Sequence, residues 1–153
     1  MIKFLVRLLS TFFYTGYLPF IPGTFGSMAG IFLIIIIRGS VFSQLFLTIL
    51  IIVIGFLVSG RAEEAVGRKD PSFVVIDEVS GMLLSLLFIP YDIKILVIAF
   101  VLFRILDTLK PFPSGRLERY KGSIGIMADD LIAGLYTNLI LQAVLRVISF
   151  KAS

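Results

Sequence analysis

The sequence predicts an all-α integral membrane protein, a helical bundle of about five hydrophobic helices plus an N-terminal amphipathic helix. Apolar residues make up 58% of the 153 residues, and the mean hydropathy is +1.05. Soluble domains average roughly 45–50% apolar residues. The apolar residues here are gathered in long runs, which a soluble fold of this size would leave uncovered. The length predicts a single membrane domain over residues 1–153.

The N-terminal segment, residues 1–18, is predicted to form a helix that lies in the membrane interface. Lys3, Arg7 and Ser10 fall on one helical side, whereas leucines fall on the other. A signal peptide is the alternative, but no small-residue cleavage site follows, and a Pro- and Gly-rich stretch comes next.

The apolar helices are predicted at residues 24–37, 41–58, 73–89, 93–109 and 126–148. The segment 41–58 is a mostly apolar run without a charged residue and the clearest transmembrane helix. Thr24 is a natural N-cap for the first helix, and Gly26 and Gly30 would let another helix approach closely. Because this helix spans only about 21 Å, the sequence leaves open whether it and the segment 73–89 cross fully or enter and return.

If all five segments cross the membrane, alternation places nine of the ten acidic residues on one side. Ten of the 14 Lys and Arg residues fall on that side too. The positive-inside rule makes it cytoplasmic and makes the protein multi-pass. The net charge of +4 is scattered beside apolar helices, so it favours an anionic lipid surface as partner and not nucleic acid.

The chain contains no Cys and no His. This excludes disulfides, thiol nucleophiles, Ser-His-Asp triads and the usual zinc ligands. The remaining chemistry belongs to carboxylates, hydroxyls, Arg and Lys.

Five acids lie inside apolar segments, about one turn from the edge, and two bases accompany them. Charges at such positions are costly unless they are paired or hydrated, so they are functional candidates. An ion-pair network is one alternative, but five acids against two bases leave excess negative charge, which a divalent cation would neutralise. Mg²⁺ prefers carboxylate oxygens, and a phosphate can supply further ligands. Because the acids and the two bases lie at the depth of lipid headgroups, the sequence predicts phosphoryl chemistry on a membrane lipid. The acids are Asp77, Glu78, Asp107, Asp129 and Asp130, and the bases are Arg104 and Lys110.

Four motifs resemble those of the phosphatidylglycerophosphatase A family and occur in the family's order. They are PGTFGS at residues 22–27, DEVSGM at 77–82, FRILDTLKPFP at 103–113 and GIMADDLIAG at 125–134. The resemblance implies a Mg²⁺-dependent enzyme of phospholipid biosynthesis in the bacterial inner membrane. Its reaction would hydrolyse phosphatidylglycerophosphate to phosphatidylglycerol and phosphate.

The roles of the matching residues are hypotheses. Asp77, Glu78, Asp129 and Asp130 would hold Mg²⁺, with Asp77, Asp107 and Asp130 as the catalytic acids. Asp107 would either orient water or protonate the leaving glycerol oxygen. Arg104 and Lys110 would neutralise the phosphate. Thr24 and Ser27 would donate to it, with plain helix capping as their alternative. The role of Glu63 and Glu64 stays open.

Several alternatives remain at this stage. Attack by water and an aspartyl-phosphate intermediate are both chemically possible. Another membrane lipid phosphatase or phosphotransferase would need the same groups, whereas a lipid kinase would need a P-loop, which is absent from the sequence. A small ion carrier also uses intramembrane acids, but the far half of each predicted helix is almost free of charge. Acyl-chain preference and oligomeric state are not specified.

Overall fold

The computed structural model describes residues 2–37, 40–117 and 119–152. All regular elements within these residues are helical, so the all-α prediction is confirmed. They are α1 (Ile2–Ser10), a 3-10 turn (Thr15–Tyr17), α2 (Pro22–Ile36), α3 (Val41–Val66), α4 (Ile76–Ser85), α5 (Ile93–Leu109), α6 (Ser114–Leu117) and α7 (Ser123–Ala152).

The short helix α4 forms the centre of the bundle. It contacts α2, α3, α5 and α7, and its residues Val79, Met82 and Leu83 have no exposed surface. Helix α2 packs against it through two glycines. A Cβ atom at Gly30 would lie 2.8 Å from the Met82 Cβ atom. Gly26 is equally close to residues at the start of α4, so the predicted close approach at this glycine pair is confirmed.

Among the described residues, two helices are long and apolar enough to cross a membrane, α3 and the segment Ser123–Ile148 of α7. Only 28% of each apolar window is buried, which leaves an apolar surface for lipid. The sequence left open whether the segments 24–37 and 73–89 cross fully, and neither of these described segments holds a helix that long. Helix α4 has 10 residues, or about 15 Å at 1.5 Å per residue, and its apolar side chains serve burial against other helices.

Several helix boundaries also differ from the prediction. Helix α3 continues through the charged stretch after residue 58 and ends at Gly67, whose φ of 68° terminates the helix. The stretch stays helical because Ala62 and Glu63 are buried against the bundle. Helix α7 begins at Ser123, three residues earlier than predicted, and the short helix α6 was not predicted.

Candidate active site

Polar ends of four helices meet around one cavity of about 260 Å³. The N-terminus of α2, the start of α4, the end of α5 and the early part of α7 all contribute to its wall. The charged side chains that line it are Asp70, Asp77, Glu78, Arg104, Asp107, Lys110, Asp129 and Asp130. All seven charged residues that the sequence predicted for the site are therefore brought together, with Asp70 in addition.

Three of the carboxylates form a compact cluster. One carboxylate oxygen from each of Asp77, Glu78 and Asp130 lies within 4.8 Å of the other two. Each residue also has a buried oxygen without a hydrogen-bond partner: Asp77 Oδ1, Glu78 Oε2 and Asp130 Oδ1. Buried polar atoms are normally paired. Unpartnered carboxylate oxygens at this spacing fit the ligand set of Mg²⁺.

The crossing of α4 and α7 explains why these acids meet. A Cβ atom at Gly134 would collide with the Gly81 backbone, and one at Gly81 would lie 2.7 Å from the Asp130 carbonyl oxygen. The two helices therefore touch backbone to backbone. Asp77 and Asp130 each precede one of these glycines by four residues. Since residues i and i+4 share a helix face, the contact sets the two carboxylates side by side.

The two basic residues each pair with an acid of the cavity. The Arg104 Nη1 atom lies 2.9 Å from Asp107 Oδ2, one turn along α5. The Lys110 Nζ atom lies 3.3 Å from Asp129 Oδ2. Lys110 ends α5 in the left-handed conformation. Asp129 thus faces a cation, unlike its neighbour Asp130, which faces the carboxylate cluster.

The carboxylates at the start of α4 have unfavourable surroundings for their charges. Burial raises the pKa of Glu78 from its ordinary 4.5 to about 7. Burial also raises the pKa of Asp77 well above its usual range, with repulsion from Glu78 and Asp130 adding to the effect. Desolvation and like charges both disfavour the ionised form. A cation in the cluster would relieve both.

The N-terminus of α2 reaches the cavity through Pro22 and Gly23. A Cβ atom at Gly23 would collide with the Glu78 carboxylate, so glycine keeps this approach open. Ser27 is fully buried, and its hydroxyl donates to the Gly23 carbonyl oxygen at 2.9 Å. Among the described residues that line the cavity, neither Thr24 nor Ser27 appears. Their predicted phosphate contacts stay predictions.

The connection between α3 and α4 supplies residues that the sequence reasoning did not assign. Asp70 and Ser72 line the cavity. Glu63 fixes this connection, because its carboxylate accepts the Asp70 N–H at 3.2 Å. The same carboxylate accepts the Gly122 N–H at 2.9 Å, just before α7. Glu63 therefore ties the Asp70 loop to α7. In the sequence, the step from Asp70 to Pro71 is typical of a turn, but it does not specify where the Asp70 side chain lies.

Comparison with known proteins identifies the family. The family model for phosphatidylglycerophosphatase A matches residues 8–145. The chain belongs to the phosphatidylglycerophosphatase A family. A Haemophilus influenzae protein named phosphatidylglycerophosphatase A is 33% identical over 143 residues, covering 91% of this chain and 88% of that protein. An Escherichia coli protein of the same name is 35% identical over 134 residues, covering 84% and 77%.

A further relative carries a different name. A Bacteroides thetaiotaomicron protein, provisionally named phosphatidylinositol-3-phosphatase, is 38% identical over 152 residues, covering 94% of this chain and 95% of that protein. No solved structure matches the chain. Membership of the phosphatidylglycerophosphatase A family makes this chain an enzyme and a lipid phosphatase. Its two long apolar helices fit the membrane location of such an enzyme.

Proposed function

We propose that this enzyme is a Mg²⁺-dependent phosphatidylglycerophosphatase at the cytoplasmic face of the bacterial inner membrane. It would hydrolyse phosphatidylglycerophosphate to phosphatidylglycerol and phosphate. The observation that carries the proposal is the cluster of Asp77, Glu78 and Asp130, whose buried oxygens have no partners. Arg104 and Lys110 line the same cavity. The named relatives from H. influenzae and E. coli support the choice of substrate.

Asp77, Glu78 and Asp130 would hold the cation. When bound, Mg²⁺ supplies Lewis-acid chemistry and offsets the negative charge of the phosphate. The chain contributes rigidity, because the glycine contact of α4 and α7 fixes two of the ligands. Asp129 stands apart from the cluster, since its carboxylate pairs with Lys110.

The phosphate would be bound by Arg104 and Lys110. The guanidinium can make a planar two-pronged contact, and the ammonium acts as a point charge. Asp107 and Asp129 hold these cations at the cavity wall before the substrate enters. The N-terminus of α2 also faces the cavity, and its dipole favours an anion there.

Asp107 would handle the proton. In hydrolysis the bond between phosphorus and the glycerol oxygen breaks, a water oxygen bonds to phosphorus, and a proton goes to the glycerol oxygen. Asp107 lines the cavity beside Arg104, so it can orient the water or deliver this proton. The stereochemistry at phosphorus separates direct attack from an aspartyl-phosphate intermediate when the substrate carries an isotopically chiral phosphate. Inversion supports a single attack by water, whereas retention supports two successive displacements through the intermediate.

A phosphoinositide is the second candidate substrate, because the B. thetaiotaomicron relative is named for one. Phosphatidylinositol-3-phosphate and phosphatidylglycerophosphate both present a phosphomonoester on a lipid headgroup. They differ in the bulk of the alcohol next to that phosphate. We take phosphatidylglycerophosphate as the first candidate because the family model and two relatives are named for it.

The test is phosphate release by the purified enzyme in detergent micelles. The lipids are phosphatidylglycerophosphate, phosphatidylinositol-3-phosphate and phosphatidic acid, each with Mg²⁺ or EDTA and without nucleotide. We expect fastest release from the first lipid and a loss of activity in EDTA. Asp130→Asn should lower the rate more than about 100-fold, since even an outer partner of a metal ligand is worth about 10- to 100-fold.

Asp92→Asn is the matched control. Asp92 accepts the Lys94 N–H at 2.8 Å as the N-cap of α5, and asparagine can fill the same role. We expect its activity to stay near that of the wild type. Full activity in EDTA, or in Asp130→Asn, would overturn the proposed mechanism. Faster release from the phosphoinositide would overturn the proposed substrate.

A further inference from the structure

A second and larger pocket lies outside the catalytic cavity, between α1 and the C-terminal part of α3. It is a groove of about 530 Å³, here called the α1–α3 groove. Its basic residues are Lys3, Arg7 and Arg61, and its acidic residue is Glu64. The proposed mechanism uses none of them. The excess of positive charge predicts an anionic ligand.

The floor of the α1–α3 groove is apolar. Val6 and Ala62 line it with buried side chains. Phe73 forms one wall and stacks on Tyr17, with ring centroids 5.5 Å apart. A basic rim above an apolar floor suits an amphiphile with a charged headgroup.

The groove opens at the same end of the bundle as the catalytic cavity. The Gly60 N–H donates to the Ser123 hydroxyl at 2.9 Å, so the groove end of α3 lies level with the start of α7. Helix α1 is joined to the start of α4 by the Val75 N–H, which donates to the Ser10 carbonyl oxygen at 3.0 Å. Lipid headgroups that reach the catalytic cavity therefore lie at the depth of the groove as well.

One short segment separates the two pockets. Phe73 lines the groove, whereas its neighbours Ser72 and Val74 line the catalytic cavity. Gly16 holds the segment from the side of α1, because a Cβ atom there would collide with the Phe73 carbonyl oxygen. A ligand that fills the groove therefore contacts the reverse side of the catalytic wall.

We propose that the α1–α3 groove binds one anionic glycerophospholipid that is not hydrolysed. Its phosphate would lie among Lys3, Arg7 and Arg61, and its first methylene groups would lie on the apolar floor. The proposal goes beyond the proposed function, since it concerns a lipid other than the substrate. Charge complementarity favours a lipid with net negative charge, because three basic residues face one acid in this groove.

The experiment counts lipids retained by the full-length protein in native mass spectrometry. The probe is short-chain phosphatidylserine, a phosphodiester that a phosphomonoesterase does not cleave, compared with phosphatidylcholine. We expect the wild type to retain one phosphatidylserine in preference to phosphatidylcholine. The double substitution Arg7→Gln with Arg61→Gln should weaken retention about thirtyfold, because each basic residue near an anionic lipid adds about a fivefold preference.

The matched control is Lys94→Gln with Arg146→Gln, which removes the same charge from exposed sites outside the groove. It should retain phosphatidylserine like the wild type. Arg104→Gln should also retain it, because Arg104 lines the catalytic cavity and not the groove. Loss of the lipid in Arg104→Gln would place it in the catalytic cavity and overturn the proposal. That result would leave the phosphate-release assay for the proposed function unaffected.

Three other outcomes would also overturn the proposal. The first is that the Arg7→Gln and Arg61→Gln variant retains as much phosphatidylserine as the wild type. The second is that the wild type does not prefer phosphatidylserine over phosphatidylcholine. The third is that millimolar inorganic phosphate displaces the lipid, which would indicate a site for a soluble anion.

Thermal unfolding shows whether the double variant is folded. If it is not, the single change Lys3→Gln takes its place, since Lys3 is exposed on α1. A loss of about fivefold is then expected, and unchanged retention overturns the proposal.

Discussion

Asp129 and Asp130 are adjacent in the chain but have different partners. Asp130 faces Asp77 and Glu78, whereas Asp129 pairs with Lys110. We expect Asp130→Asn to raise the Mg²⁺ concentration needed for half-maximal activity about tenfold or more. Asp129→Asn should change that concentration less than about threefold but shift the KM for lipid, since it removes the carboxylate charge that pairs with Lys110. Mg²⁺ titrations at fixed substrate measure the first effect. Equal changes in both variants would make Asp129 a metal ligand as well.

The raised pKa of Glu78 makes cation binding dependent on pH. Its pKa is about 7 in the folded protein and 4.5 ordinarily, so without a cation its contribution to stability is lost as the pH rises from 4.5 through 7. Only the ionised carboxylate binds Mg²⁺ well. The increase in unfolding temperature on adding Mg²⁺ should therefore be larger at pH 8 than at pH 6. Melting curves in EDTA and in Mg²⁺ measure it, and a larger increase at pH 6 would contradict the assignment.

The contact between α4 and α7 depends on two glycines. A methyl group at Gly134 would collide with the Gly81 backbone, so Gly134→Ala must separate the helices that carry Asp77 and Asp130. We expect a destabilisation of about 1–3 kcal/mol and a clear loss of Mg²⁺ affinity. Gly115→Ala is the control, because the nearest atom to its Cβ would lie at 3.7 Å. Denaturant unfolding and Mg²⁺ titration report the two effects, and wild-type behaviour in Gly134→Ala would contradict this account.

The sequence predicted elements well where apolar periodicity was strong. In the sequence, Asp77 and Gly81 are four residues apart, as are Asp130 and Gly134, so each acid shares a helix face with its glycine. The structure joins these two faces. The extension of α3 was missed because its last turns are charged, and burial of Glu63 is a tertiary effect. Asp70 was missed for a similar reason. Its position depends on a hydrogen bond from its N–H to Glu63, which no local pattern specifies.

At the scale of the whole molecule, apolar composition indicated a membrane protein without revealing which helices face lipid. The segment 73–89 is as apolar as a membrane span, yet the helix within it, α4, has 10 residues and a buried interior position. Hydropathy measures how strongly a segment avoids water, and an apolar helix avoids water equally well inside a bundle and in lipid. Helix length and burial separate the two cases, and both depend on tertiary structure.

Charge is distributed unevenly between the two ends of the molecule, and this predicts its orientation. One end of the molecule holds the cavity, the start of α7 and most of the basic loop residues. Lys94 lies at the other end, because it is at the start of α5 and the end of α5 reaches the cavity. From the positive-inside rule we predict that the cavity end faces the cytoplasm. Because the chain has no Cys, single substitutions give clean labels. A membrane-impermeant maleimide should label Lys94→Cys in intact spheroplasts but label Lys121→Cys only after permeabilisation, and the reverse pattern would place the active site outside the cytoplasm.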